Sequence, residues 1–133
     1  RLEPKAKLAG LNKSLGDELL RTHRNYQPLL ARIPTSQIHG LAHITGGGLV
    51  DNLPRVLPKN CDAVIDTGAG KVPALFQMLA EKGKVPREEM YQVFNMGIGM
   101  AVIVGRKNVD RIQRSLRAKK IGYIAEGRGI TQL

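Results

Sequence analysis

Three consecutive glycines, Gly46–Gly48, join an alternating apolar segment to an amphipathic one in HITGGGLVDNLPRVLP, residues 43–58. Glycine loses more conformational freedom on folding than any other residue, so a run of three is not favoured for stability. The preceding QIHGLAHI alternates as a strand does, and the following LVDNLPRVL predicts a short helix kinked near Pro54. A strand, a glycine loop and a helix in this order can present backbone N–H groups to phosphate or another anion. The alternative, which stays open here, is a loop that lets two backbones pack closely.

Strand and helix patterns alternate along the rest of the chain. Helices are predicted from Asn25, as N-cap, to about Ile33, and over 72–83, 86–94 and 106–120, the last with Asn108 as N-cap. Besides QIHGLAHI, strands are predicted for DAVID (62–66), GMAVIVG (99–105) and IGYIAEG (121–127). This interleaving predicts an α+β or α/β sheet covered by helices.

The charge balance points to an anionic partner. The 133 residues, the usual size of one domain, carry 21 basic and 11 acidic side chains, a net charge of +10. With two Phe, three Tyr and no Trp, few rings are available to stack on single-stranded nucleic acid. In the basic stretch 106–120, Val109, Ile112 and Leu116 follow helical spacing, so its arginines are expected on a solvated face. Nucleic-acid binding is therefore kept only as an alternative.

The cysteine count and the lengths of the apolar runs indicate in which cellular compartment the protein is expected. The single Cys61 excludes an internal disulfide and a CxxC metal site. Because a chain without disulfides is typical of a reducing compartment, a cytoplasmic location is predicted. No apolar run approaches the roughly 18 residues that would span a bilayer, and no membrane partner is expected.

Other short motifs are weak. His39 and His43 lie about 13 Å apart if their segment is a strand, too far to share one metal ion, and no metal site is predicted. GAGKVP has Val72 where a phosphate-binding P-loop needs Ser or Thr, so it predicts a turn. NMGIGM carries G-x-G before a strand, whereas a dinucleotide fingerprint follows one. It is either a tight turn or part of a site lining.

Three segments resemble the C-terminal domain of the phosphoribosylformylglycinamidine cyclo-ligase family, also called aminoimidazole ribonucleotide synthetases. They are GLAHITGGGLVDNLPRVLP, EEMYQVFNMGIGM and IGYIAEGRG. More weakly, residues 22–26 (THRNY) resemble a Thr-Arg-x-Tyr stretch of the family. The resemblance predicts an arm or linker at 1–14 and the C-terminal domain at 15–133. It implies an α+β fold of three α/β/α layers with a mixed sheet, partly ferredoxin-like.

The resemblance also implies an activity. The family uses ATP to phosphorylate the formyl-amide oxygen of formylglycinamidine ribonucleotide and then closes the imidazole ring to aminoimidazole ribonucleotide. ADP and phosphate are released, and Mg2+ is required. ATP and Mg2+ are expected mainly in an N-terminal domain that is missing here, so this fragment is expected to be inactive alone. Its own N-terminal domain is an expected partner, and the full-length protein is expected to be a homodimer. The alternatives are another ATP-dependent member of the same superfamily and a basic nucleic-acid-binding module.

Site residues follow from the matching motifs. Substrate or phosphate binding is expected of His43, Thr45, Gly46, Gly47 and Gly48, with His43 as the catalytic candidate. Asn95, Gly97 and Gly99 are expected to line the same cleft.

The chain departs from the family's pattern near Lys119 and Lys120, where relatives carry several more residues. A helix that runs into a strand without a turn residue is hard to build. The alternatives are a deletion in this protein and a mobile loop missing from the sequence, and the missing loop is favoured.

Overall fold

The computed structural model describes residues 3–133, so Arg1 and Leu2 of the predicted arm lie outside the described residues. The helices are α1 (Leu15–Leu19), α2 (Gln27–Leu30), α3 (Gly48–Asn52), α4 (Ala74–Gly83), α5 (Arg87–Val93) and α6 (Val109–Leu116). The strands are β1 (Ile38–His43), β2 (Cys61–Ile65), β3 (Met100–Val104), β4 (Gly122–Glu126) and β5 (Thr131–Gln132). None of the helices described is long and apolar enough to cross a membrane.

The strands form two sheets. β1 pairs antiparallel with β3, with His43 opposite Met100, in a two-stranded sheet. β2 lies between β4, which is antiparallel to it, and β5, which is parallel to it. The prediction of an α+β fold with a mixed sheet is confirmed.

Both sheets contribute to one apolar core. Ile44, Leu49 and Met90 are its largest fully buried side chains, and each such burial stabilises the fold by about 1.5–3 kcal/mol. The other members are Ala42, Leu53, Ala63, Ile65, Tyr91, Met96 and Ala101. Successive residues of a strand face opposite sides, so the inward Ala42 leaves its neighbour His43 exposed. The strand end thus presents a histidine to solvent beside the glycine loop.

A buried carboxylate ties β2 to the segment that leads into β5. Asp62 Oδ1 accepts the backbone N–H groups of Arg128, Gly129 and Ile130 at 2.7–3.0 Å, and Oδ2 accepts the side-chain amide of Gln132 at 2.8 Å. The N–H of Ile130 lowers the pKa of the Asp62 carboxyl, burial opposes this shift, and the other donors reinforce it. Nothing in the sequence pattern DAVID predicted this role.

Several helix bounds differ from the predicted ones. The N-cap of α2 is Tyr26 and not the predicted Asn25, although Asn25 Oδ1 accepts the N–H of Gln27 at 3.0 Å. The helix ends at Leu30 and not near Ile33. α3 stops at Asn52, and a 3₁₀ turn beginning at Pro54 follows, which agrees with the predicted kink. α6 is amphipathic as predicted, with Asn108 as N-cap and Ile112 buried, but it spans Val109–Leu116 and not 106–120.

The sequence did not predict α1 or β5. The side chain of Ser14 caps α1 by accepting the N–H of Asp17 at 3.2 Å. The N–H of Gly16 donates to the carbonyl of Pro4 at 2.8 Å, so the segment before α1 is hydrogen-bonded to it. The domain boundary at 14/15 stays a prediction.

The connection from α6 to β4 is made without a glycine. Arg117 adopts a left-handed conformation with φ 51°, and the N–H of Ala118 donates to the carbonyl of Gln113 at 3.0 Å. A non-glycine residue in this region costs about 1–2 kcal/mol. The connection that was predicted to be hard to build without a turn residue is thus made by a left-handed Arg117. A longer loop in the intact protein stays a prediction.

Candidate functional site

The three glycines have different roles, and Gly48 is a packing residue. Its φ is 54°, and a β-carbon there would overlap the carbonyl oxygen of Tyr91 at the end of α5. Its N–H donates to the carbonyl of Thr45 at 3.1 Å and is not free for a ligand. For Gly48, the geometry is that of close backbone packing.

Gly46 and Gly47 carry the free donors of the loop. Within residues 3–133, neither of their N–H groups has a protein acceptor, and no atom lies within 4 Å of the position of a β-carbon on Gly46. Asn52, which is buried beneath the loop, donates to the carbonyls of Gly46 at 3.1 Å and Gly48 at 2.7 Å. Because Asn52 holds the Gly46 carbonyl, the N–H of Gly47 in the same planar peptide points the other way. This N–H and that of Gly46 are therefore the donors available to an anion.

A carboxylate lies beside this loop. A β-carbon on Gly47, whose φ is 90°, would come within 2.8 Å of Asp51 Oδ2. The other oxygen, Asp51 Oδ1, accepts the side-chain amide of Gln92 at 2.9 Å. Like charges repel, so an anion is better accommodated on the Gly46 side of the loop. This contact was not predicted from the sequence.

His43 belongs to a cluster of three rings. Its Nε2 lies 2.8 Å from the Nε2 of His23, and the two ring centroids are 4.9 Å apart. The ring of Tyr26 packs edge-on against both, at 5.7 Å from His23 and 6.1 Å from His43. His23 and Tyr26 were not predicted as site residues, although the Thr-Arg-x-Tyr resemblance lies at these positions.

The NMGIGM segment is a tight turn before β3. Asn95 Oδ1 accepts the N–H of Gly97 at 2.9 Å, and the backbone of Asn95 accepts Ile98 at 2.8 Å. The carbonyl of Gly99 accepts the N–H of Ile44 at 3.0 Å, next to His43. Asn95 and Gly97 therefore shape the turn, whereas Gly99 reaches the histidine cluster.

A cavity of about 1160 Å³ lies beside this cluster, lined by strands of both sheets and by α6. Gly97, Gly99 and Tyr26 line it, whereas the loop 43–48 does not. Its basic side chains are Arg24, Lys71, Arg106, Arg117, Lys119 and Lys120. The predicted cleft thus consists of two surfaces that meet at Tyr26, and substrate binding to either stays a prediction.

Metal-ligating residues are dispersed in the part of the chain that the structure describes. No three or more His, Cys, Asp or Glu side chains there are grouped to hold a metal ion. His39 lies near Gly105, at the other end of β1 from the cluster of His23 and His43.

Comparison with known proteins gives a family match and several relatives. The family described as AIR synthase related protein, C-terminal domain, matches residues 2–132. A phosphoribosylformylglycinamidine cyclo-ligase of Desulfotalea psychrophila is 50% identical over 119 residues, 87% of this chain and 33% of the relative. The phosphoribosylformylglycinamidine cyclo-ligase of Caldicellulosiruptor bescii is 45% identical over 112 residues, which are 84% of this chain and 33% of the relative. The phosphoribosylformylglycinamidine cyclo-ligase of Bacillus thuringiensis is 40% identical over 127 residues, which are 91% of this chain and 37% of the relative. The chain spans about a third of the length of these relatives.

Proposed function

This chain belongs to the family of AIR synthase related protein C-terminal domains, and we propose from this that it is the C-terminal part of an ATP-dependent cyclo-ligase of purine biosynthesis. The observation that carries the proposal is the sequence identity of 40–50% over most of the chain to proteins named phosphoribosylformylglycinamidine cyclo-ligase. The substrate proposed is formylglycinamidine ribonucleotide, and the product is aminoimidazole ribonucleotide.

Both the substrate and the transferred phosphoryl group are anions, and the glycine loop suits such a group. The free N–H groups of Gly46 and Gly47 would contact the substrate phosphate or the transferring phosphoryl. Thr45 and His43, both exposed, border the same loop and would add a hydroxyl and an imidazole. Gly48 and Asn52 support the loop from the protein side.

ATP supplies the phosphoryl group, and Mg2+ supplies charge neutralisation when bound. The described residues could bind the anionic group but not Mg2+, because no cluster of carboxylates among them could hold this ion. We therefore assign ATP and Mg2+ mainly to an N-terminal domain of the longer protein, which we propose as the partner of this chain in a cytoplasmic homodimer. The role of this chain is to bind and orient the anionic group.

The test compares the full-length protein that contains this chain with the 133-residue chain alone. Both are incubated with formylglycinamidine ribonucleotide, ATP and Mg2+, and ADP, phosphate and the imidazole product are quantified. The full-length protein should form the three products in equal amounts, and the chain alone should form none. ATP hydrolysis without ring closure by the full-length protein would favour another member of the superfamily.

The basic charge requires one further control. Binding to duplex DNA is measured at two salt concentrations, because phosphate contacts weaken steeply as salt rises. Salt-dependent DNA binding by a full-length protein that closes no ring would favour the nucleic-acid-binding alternative.

A further inference from the structure

Two of the three histidines in the chain are joined by a hydrogen bond. His23, ahead of α2, and His43, at the end of β1, approach Nε2 to Nε2 at 2.8 Å with their rings nearly perpendicular, at 82°. A neutral imidazole has one donor nitrogen and one acceptor nitrogen. This contact therefore holds a single hydrogen between the two Nε2 atoms, and one ring donates while the other accepts.

The shared hydrogen leaves one free acceptor on the pair. In the ring that donates through Nε2, the Nδ1 lone pair is unused. A proton added there makes that ring an imidazolium and strengthens its hydrogen bond to the partner, because charged donors form stronger bonds. A second proton would place a hydrogen on both Nε2 atoms and break the contact. The pair can thus accept one proton without changing its geometry.

The surroundings of the pair add little charge. Tyr26 is the titratable ring packed on both histidines, and Met100 of β3 lies opposite His43. β3 and α2 contain no charged residue. The charged residues on neighbouring segments are Arg24, which follows His23 in the chain, and Asp51 of α3, one of whose oxygens accepts the side-chain amide of Gln92. The pair lies at the end of the strand that leads into the glycine loop.

We propose that His23 and His43 together are the proton acceptor of the ring-closing step, an assignment that rests on the proposed function. The attacking amidine nitrogen forms its bond to the carbon that carries the phosphorylated oxygen, and the C–O bond breaks, so that phosphate leaves with its electron pair. The same nitrogen loses a proton. The N–H bond breaks, its electron pair stays on nitrogen, and the proton bonds to the free Nδ1 of the pair. The charge of the pair changes from zero to +1, and no further reactant is needed. His23 is the new member of the site.

Kinetics of the full-length protein test the proposal first. His23→Ala should lower kcat at least about tenfold, which is modest for general acid–base catalysis, with KM within about twofold. It should also shift the acidic limb of the kcat–pH profile. His23→Gln can still donate a hydrogen bond to His43 but cannot carry a proton, so it should not restore kcat. If His23→Gln has the kcat of the wild type, His23 only holds His43 in place, and the proposal is overturned.

NMR of the full-length protein labelled with 15N-histidine provides a readout independent of turnover. Replacing His23 should change the titration curve of His43, whereas His39→Gln, the matched control on the same strand, should leave that curve unchanged. Independent titration of His23 and His43 would contradict the pair. If the wild-type protein closes no ring, the proposed function fails. If it is active and His23→Ala changes neither kcat nor the pH profile, only the pair proposal fails.

Discussion

The phenolic oxygen of Tyr26 occupies the place that a β-carbon on residue 99 would take, so the Tyr26 ring can pack on the histidines only because residue 99 is glycine. The carbonyl of Gly99 also accepts the N–H of Ile44, which fixes β1 beside this ring. One bare backbone position thus supports the geometry of the cluster.

Gly99→Ala is expected to destabilise the chain by about 1–3 kcal/mol, because the added methyl must displace Tyr26. Tyr26→Phe removes the oxygen that the methyl meets first, so the double variant should recover at least about 0.5 kcal/mol of the summed losses. Urea unfolding of the four proteins measures this coupling. Strictly additive losses would show that Tyr26 does not determine the need for glycine at position 99.

Gly48→Ala and Gly46→Ala should differ although they are two residues apart. A methyl on Gly48 overlaps a carbonyl of α5 at a positive φ, and we expect a loss of at least about 2 kcal/mol. Gly46 has open space around its α-carbon, so its variant should stay within about 0.5 kcal/mol of the wild type. Free energies of unfolding from denaturant titrations make the comparison, and equal losses would contradict the division of roles.

Gly46→Val tests the loop as an anion site in the full-length enzyme. The side chain would project into the space from which an anion approaches, and kcat/KM should fall at least about tenfold, or roughly 1.4 kcal/mol. Because a β-carbon at this position meets no atom within 4 Å beyond its chain neighbours, the melting temperature should change little. Gly47→Val should lower activity similarly, but its φ of 90° and the contact with Asp51 make it lose stability as well. Full activity of Gly46→Val would place the anion site elsewhere.

Asp62→Asn should reduce stability at neutral pH and flatten its dependence on acid. The folded state lowers the pKa of this carboxyl, so the carboxylate contributes stability fully above its unfolded pKa of about 3.9. That contribution is lost as the pH falls through the lower, folded value. Melting temperatures of both proteins should therefore converge as the pH falls below about 4. Asp110→Asn, at an exposed position, is the control and should leave the melting temperature at neutral pH nearly unchanged. A constant difference between wild type and Asp62→Asn would contradict the assignment.

Local signals predicted much of the fold. β1, α5 and the amphipathic face of α6 were visible from periodicity and from proline and glycine positions, because neighbours in sequence determine them. β5 was not, since two residues carry no period and Thr131 pairs with Ala63 far away in the chain. Arg117 was missed because a left-handed turn without glycine has no sequence signal.

The site was predicted less completely than the fold. Three glycines indicated that a bare backbone is needed, but only the position of α5 shows that Gly48 is the packing residue. His43 was predicted from its motif, whereas its partner His23 lies 20 residues away and is brought near by the path of the chain. Contacts across such separations depend on tertiary structure.

The hydrogen bonds that Asp62 accepts from residues 128–132 have a consequence for protein synthesis. The ribosome makes Asp62 68 residues before Ile130, whose N–H the carboxylate accepts. Until residues 128–132 emerge from the exit tunnel, the central strand β2 has no parallel neighbour, and its buried carboxylate lacks its donors. The order of translation therefore delays completion of this sheet, and a nascent chain that stalls before Arg128 exposes an open strand edge to chaperones and proteases.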